Sequence, residues 1–306
     1  MAPSVVPASA IPQGSPSVAA GGRSLDLRTE LPLKGHWLAR AWPQAGEASL
    51  CYIATGATGG EANWFLADGF EDQEDDVEAL EALEVERRAR NHERATRRAA
   101  GSSRRFMVAN RLRYMWVLTF EEGLHGVDGR AECMRRVAAF AERLTAKYGR
   151  IPYWYSPELH PGGHGWHVNF FVGRRLPHGV VEGLWGQGFV WVKDWLKDSR
   201  IASFGLPLVV AIRLGALYGC KYASKDWSEE VLSGGAHRYE VAQGFQPDEH
   251  VERLATLAEA MAFVVAMFGG HTAEHSWCSF DSPSWDGPAV YCLSWTDGLD
   301  ERVPGG

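Results

Sequence analysis

Between Arg113 and Asp226 short apolar runs alternate with amphipathic stretches, and their order fixes the class of fold open to the chain. Tyr114 to Phe120 (YMWVLTF) is an apolar run of strand length, followed by the turn residues GLHGVDG. Arg130 to Tyr148 places Met134, Val137, Phe140, Ala141 and Leu144 on one stripe, the period of a half-buried helix, and Gly149 stops it. Tyr153 to His160 and Trp166 to Val172 flank PGGHG and read as a hairpin. A short helix near Val180 to Trp185, a strand at Phe189 to Val192 and a helix from Ala211 to Asp226 complete the series. The order β-α-β-β-α-β-α predicts an α+β fold, an antiparallel sheet with helices packed on it.

The full chain has 306 residues, enough to build a core without metal or disulfide staples. Its longest apolar stretch, Leu254 to Phe268, is shorter than a membrane helix requires and carries Glu259. The segment MAPSVVPASAIPQGSPSVAAGG lacks the basic start and compact apolar block of a secretory signal. Five scattered cysteines (Cys51, Cys133, Cys220, Cys278, Cys292) form no C-x-x-C pair, which excludes a zinc ribbon and a disulfide framework and predicts a cytoplasmic protein.

Charge is divided unevenly. Residues 87–225 hold 24 Lys and Arg against 10 Asp and Glu, whereas the rest of the chain holds 7 against 28. A basic centre with acidic flanks predicts a polyanionic ligand for the centre. The expected organisation is a disordered Pro/Ser/Ala/Gly-rich tail over 1–24, then an uncertain region over 25–86 that holds candidate short strands around Leu50 to Ala54 and ends in an acidic helix. A basic working domain over 87–247 and a C-terminal helix with an acidic tail over 248–306 follow. The acidic run EDQEDDVEALEALEVE leads straight into RRARNHERATRR, a polarity that suits the helix dipole, whether the helix is merely solvated or faces DNA. Val251 to Phe268 reads as one further helix, with Val251, Leu254, Leu257, Met261 and Val264 on a packing stripe.

Two segments carry chemistry. In ELHPGGHGWHVNFFVG, residues two apart on a strand share a face, so His167 and Asn169 point one way, and Glu158 and His160 share a face of the opposing strand. Carboxylate, imidazole and amide oxygen are predominantly hard ligands, suited to Mg²⁺ or Mn²⁺. By the same parity His164 faces away. The alternative is a set of satisfied polar groups without metal. In LGALYGCKYASKDW, Tyr218, Tyr222 and Lys225 line one helical face, with Lys221 beside it. Such tyrosines are either core residues with wet hydroxyls or nucleophiles, which a nearby cation would have to activate.

Together these segments resemble the HUH endonucleases, specifically the two-tyrosine rolling-circle replication initiators of actinobacterial plasmids and phages. Trp116-Val117-Leu118-Thr119-Phe120 is similar to the first family motif. His167-Val168-Asn169 lies where the family has histidine-hydrophobe-histidine, and Tyr218-Gly219-Cys220-Lys221-Tyr222 resembles Y-x-x-K-Y. RNHERATRRA, WGQGFVWV and HRYEVAQGFQP extend the likeness over about residues 87 to 247. Asn169 departs from the second histidine, and the cysteine-rich N-terminal segment of many relatives is absent.

The resemblance implies a palm-like sheet and a metal-dependent enzyme that nicks one strand at an origin. Tyr222 or Tyr218 would become joined to the 5′ phosphate, leaving a 3′-OH primer, with Lys221 assisting. Mg²⁺ or Mn²⁺ would be held by His167, Asn169, Glu158 and His160. Lys225, Arg104 and Arg105 are the candidate DNA contacts. The partners implied are single-stranded or supercoiled origin DNA and a host helicase and polymerase, since no G-x-x-x-x-G-K-[ST] motor motif is present. A relaxase, a single-strand transposase and a catalytically weakened origin-binding protein are the alternatives. An RNA-binding sheet domain is disfavoured because its aromatic signature is missing.

Overall fold

The computed structural model describes residues 34–55, 77–160, 165–198, 205–225, 238–282, 288–296 and 299, without the side chains of 77–84, 127 and 221–225. The tail over 1–24 lies outside the described residues. Two five-stranded antiparallel sheets and five α-helices make up the fold among the described residues, an α+β architecture.

The central sheet is built from β3 (Tyr114–Leu118), β4 (Tyr153–Leu159), β5 (Trp166–Val172), β6 (Val190–Asp194) and β7 (Glu240–Val241). With α2 (Gly126–Tyr148) after β3 and α3 (His178–Trp185) after β5, the chain runs β-α-β-β-α-β, as the sequence pattern predicts. The strands order as β6-β3-β5-β4-β7, the split arrangement in which β3 and β5 are central. α2 begins four residues before Arg130, and Gly149 closes it at φ 76, donating its N–H to the Thr145 carbonyl.

Strand parity divides the core in two. Trp116, Leu118, Val168, Phe170 and Val172 face α2 and α3, where Phe140 packs edge-on against Phe170 and Trp185. Met115, Trp154 and Phe171 face the other way, toward α1 (Val77–Ala109) and α4 (Leu208–Lys225). Two helices thus cover each face, but α4 meets only one end of its face. A Cβ on Gly219 would stand 3.1 Å from Phe171 and 3.4 Å from Trp154, so the missing side chain lets the helix approach the sheet.

Both flanks of the basic centre contribute to the second sheet. β1 (Gly35–Trp42) and β2 (Glu47–Ala54) pair with β8 (His250–Leu254), β9 (His275–Cys278) and β10 (Val290–Ser294) in the order β8-β1-β2-β10-β9. α5 (Leu257–Met267) covers one face through Ala260 and Val264. The expected single helix from Val251 to Phe268 is therefore a strand followed by a shorter helix. Thr256 makes the break: its hydroxyl accepts from the Glu259 N–H while the Glu259 carboxylate accepts from the Thr256 N–H, a capping box.

Arginines join the two sheets. Arg104 on α1 donates twice to Glu47, at 2.6 and 2.9 Å. Arg213 on α4 donates to the carbonyls of Ala45, Gly46 and Trp295 at 2.8–3.1 Å. Gly46 turns there at φ 63 with no room for a Cβ against Leu299 and the Trp295 carbonyl. No described helix is long and apolar enough to cross a membrane, and all five cysteines are free.

Candidate functional site

The hairpin brings three of the four expected polar ligands together. Glu158 on β4 stands directly opposite His167 on β5, and Ser156 opposite Asn169, so these side chains share the sheet face that α4 partly covers. The Glu158 carboxylate oxygen Oε2 accepts from the Asn169 amide at 2.6 Å and lies 3.1 Å from His167 Nε2. Glu158 and Asn169 are buried, and His167 is nearly so. His160 is exposed just past the end of β4, its ring centroid 5.9 Å from that of His167. Its N–H donates to the Gly165 carbonyl, which ties the ends of the hairpin. His164 lies outside the described residues, and with it the parity expectation.

No group of three His, Cys, Asp or Glu side chains gathers to hold a metal among the described residues. A third donor to a cation would have to be the Asn169 amide oxygen. Among the described residues His167 Nδ1 is buried without a hydrogen-bond partner, and burying such a nitrogen costs free energy unless something meets it. Carboxylate, amide and imidazole thus fit a hard divalent cation better than a soft one.

The tyrosine helix lies on the same face. Gly215 abuts Trp195, and Gly219 abuts Phe171 and Trp154, so the stripe facing the sheet runs from the β6 side toward β4. Tyr218 is half-buried, its ring 5.3 Å from Trp195 and 5.5 Å from the Lys193 ammonium. Tyr222 follows one turn later, on the stripe of Tyr218 and Gly219. The side chains of Lys221, Tyr222 and Lys225 are outside the described residues. Cys220 between them is no rival nucleophile at neutral pH: burial pushes its thiol up to about 11, against a lesser opposing pull from Arg104. Cys133 is likewise pushed up to about 12 by burial.

The two arginines expected at DNA serve internal contacts here. Arg104 is held by Glu47, and Arg105 lies over the Trp42 ring at 3.9 Å. Thr119, conspicuous in the first motif, donates its hydroxyl to the Phe189 carbonyl and accepts from the Phe189 N–H, fixing the start of β6. Sequence reasoning passed over Ser156, buried in the same row, whose hydroxyl donates to the Arg238 carbonyl at 3.0 Å. The pairing of Ser156 with Asn169 was implicit in the hairpin register, but a lone serine carries no signal. No family model, curated protein or solved structure matches the chain.

Proposed function

We propose that the protein is a DNA nicking and strand-transfer enzyme of the HUH kind, acting on single-stranded DNA at a replication origin. One arrangement carries the reading: the helix bearing Tyr218 and Tyr222 packs on the sheet face that carries Glu158, His167 and Asn169. The basic excess over residues 87–225 suits a polyanionic substrate.

In this reading a phenolic oxygen of α4 attacks the scissile phosphorus. The new tyrosyl O–P bond forms as the bond to the 3′ oxygen breaks, the phenolic proton is lost to solvent or a base, and the 3′ oxygen departs to become a hydroxyl. Tyr222 is the first nucleophile, since Tyr218 is engaged with Trp195 and Lys193. Tyr218 performs the return transfer, and Lys221 and Lys225 attract the phosphate. Glu158, His167 and Asn169 would hold Mg²⁺ or Mn²⁺, with His160 at the rim; bound there, the cation would polarise phosphate oxygens. Glu158 orients both neighbours through its hydrogen bonds.

The test uses supercoiled plasmid carrying the DNA that flanks the coding sequence, incubated with the protein and Mn²⁺. Open circles bearing SDS-resistant protein are expected. Unchanged supercoils with Mn²⁺ and Mg²⁺ alike would overturn the proposal.

A further inference from the structure

β6 is an edge strand whose far end carries Lys193 and Asp194, while its near end exposes large aromatic rings. Trp191 stands opposite Val117 on β3, which stands opposite Asn169 on β5, so the three share one row on one face. Phe189 lies one residue before β6, two residues from Trp191, with its carbonyl still accepting from the Thr119 N–H at 3.0 Å. Phe189 is 81% exposed and Trp191 56%. α4 seats on the next rows, at Phe171 and Trp154, and leaves these two rings uncovered. Phe189 is also held in place. The Thr119 hydroxyl bonds both the N–H and the carbonyl of Phe189, and Gly188 presses so close to the Thr119 backbone that no side chain fits there.

We propose that Phe189 and Trp191 form a base-stacking platform for single-stranded DNA, which feeds the strand across the sheet to the Glu158–His167–Asn169 cluster. The inference rests on the nicking function proposed above and adds the binding surface for its substrate. Three observations choose the occupant. The rings are flat, strongly exposed and only two residues apart in sequence. Trp191 stands about 10 Å from Asn169, two inter-strand spacings away along one row. Both rings belong to the segment with the large basic excess, which suits a phosphate backbone. Unpaired bases offer π faces to such rings irrespective of sequence, whereas a duplex keeps its bases stacked on each other.

The experiment titrates the full chain into a fluorescein-labelled 20-nucleotide strand of random sequence, and into its duplex, by anisotropy at fixed salt. Phe189→Ser/Trp191→Ser should weaken single-strand binding by roughly tenfold or more, at the usual worth of base–aromatic stacking. Duplex binding should stay unchanged, and Trp191→Phe should restore most of the single-strand affinity. Both substituted side chains are exposed, and far-UV circular dichroism checks that the variants fold. Unchanged single-strand affinity, or an equal loss on strand and duplex, overturns the platform. So does a shift from dimer to monomer in sedimentation with unchanged DNA binding, which would make the patch a contact between copies. The wild-type samples are also run on SDS gels. With Mn²⁺ and a 3′-labelled library of single strands, absence of a covalent adduct alongside the selective binding loss would overturn the nicking function while leaving the platform standing.

Discussion

Glu158→Ala is the perturbation that most sharply reads the polar cluster. The carboxylate is buried between strands and accepts from the Asn169 amide at 2.6 Å and faces His167 Nε2 at 3.1 Å. Truncation leaves the buried Asn169 N–H without an acceptor, a loss of about 1–3 kcal/mol. His167 is slightly exposed and regains part of its loss from water, so the total is about 2–4 kcal/mol with the void included. Glu158→Gln keeps one carbonyl oxygen for Asn169 and should cost only about 1 kcal/mol, the charge assistance of the bond. Glu182→Ala is the control: that carboxylate meets His178 at 3.1 Å on an exposed helix face and should matter by less than about 0.5 kcal/mol. Urea melts followed by tryptophan fluorescence read all three variants. If Glu158→Ala melted with Glu182→Ala, the carboxylate would not be holding the hairpin face together, and the cluster would be looser than its geometry implies.

Arg213→Met should lose about 2–4 kcal/mol in urea melts, because the Ala45 and Trp295 carbonyls lose the guanidinium while Gly46 keeps only the Trp295 N–H. Burial raises the Asp194 carboxyl, but the two hydrogen bonds and the charge of Arg113 outweigh it and hold the group below its ordinary value. The pair therefore stabilises the fold above about pH 4, the unfolded value, and that contribution disappears as pH falls through the lower folded value. Melting temperature against pH should accordingly show a shallower acid limb in Asp194→Asn than in the wild type. Saturating Mn²⁺ at a hundred times its dissociation constant should stabilise the wild type by about 2.7 kcal/mol and leave His167→Ala unmoved, read as a thermal shift. Asn169→His should retain the shift.

The central sheet was legible because its strands and helices announce themselves by period: YMWVLTF and WHVNFFV are apolar runs, and the Val137–Phe140–Leu144 stripe is helical. Glu158, His167 and Asn169 came together for the same reason, since hairpin register follows from where the turn lies. Of the second sheet only the strand around Leu50 to Ala54 was legible, because β1 and β8 meet from positions about two hundred residues apart and no local pattern encodes that pairing. Val251 and Leu254 fit a helical stripe as well as a strand, and only the Thr256–Glu259 box separates the two. Arg104 looked like a free cation in a basic run. Its partner Glu47 belongs to the other sheet, a pairing that no count of charge along the chain reveals. Trp191 was one of many tryptophans until its register opposite Val117 set it on the site face.

The most direct measurement is covalent capture. A 3′-end-labelled single-stranded library of random sequence is incubated with the wild type and with Tyr218→Phe/Tyr222→Phe in Mn²⁺, then resolved on denaturing gels. The wild type should carry label through SDS, with the modified peptide mapping to Tyr222 or Tyr218, and the double variant should carry none while still binding the strand. Label on the double variant, or a wild type that binds the library and never becomes labelled, would contradict tyrosine-mediated nicking.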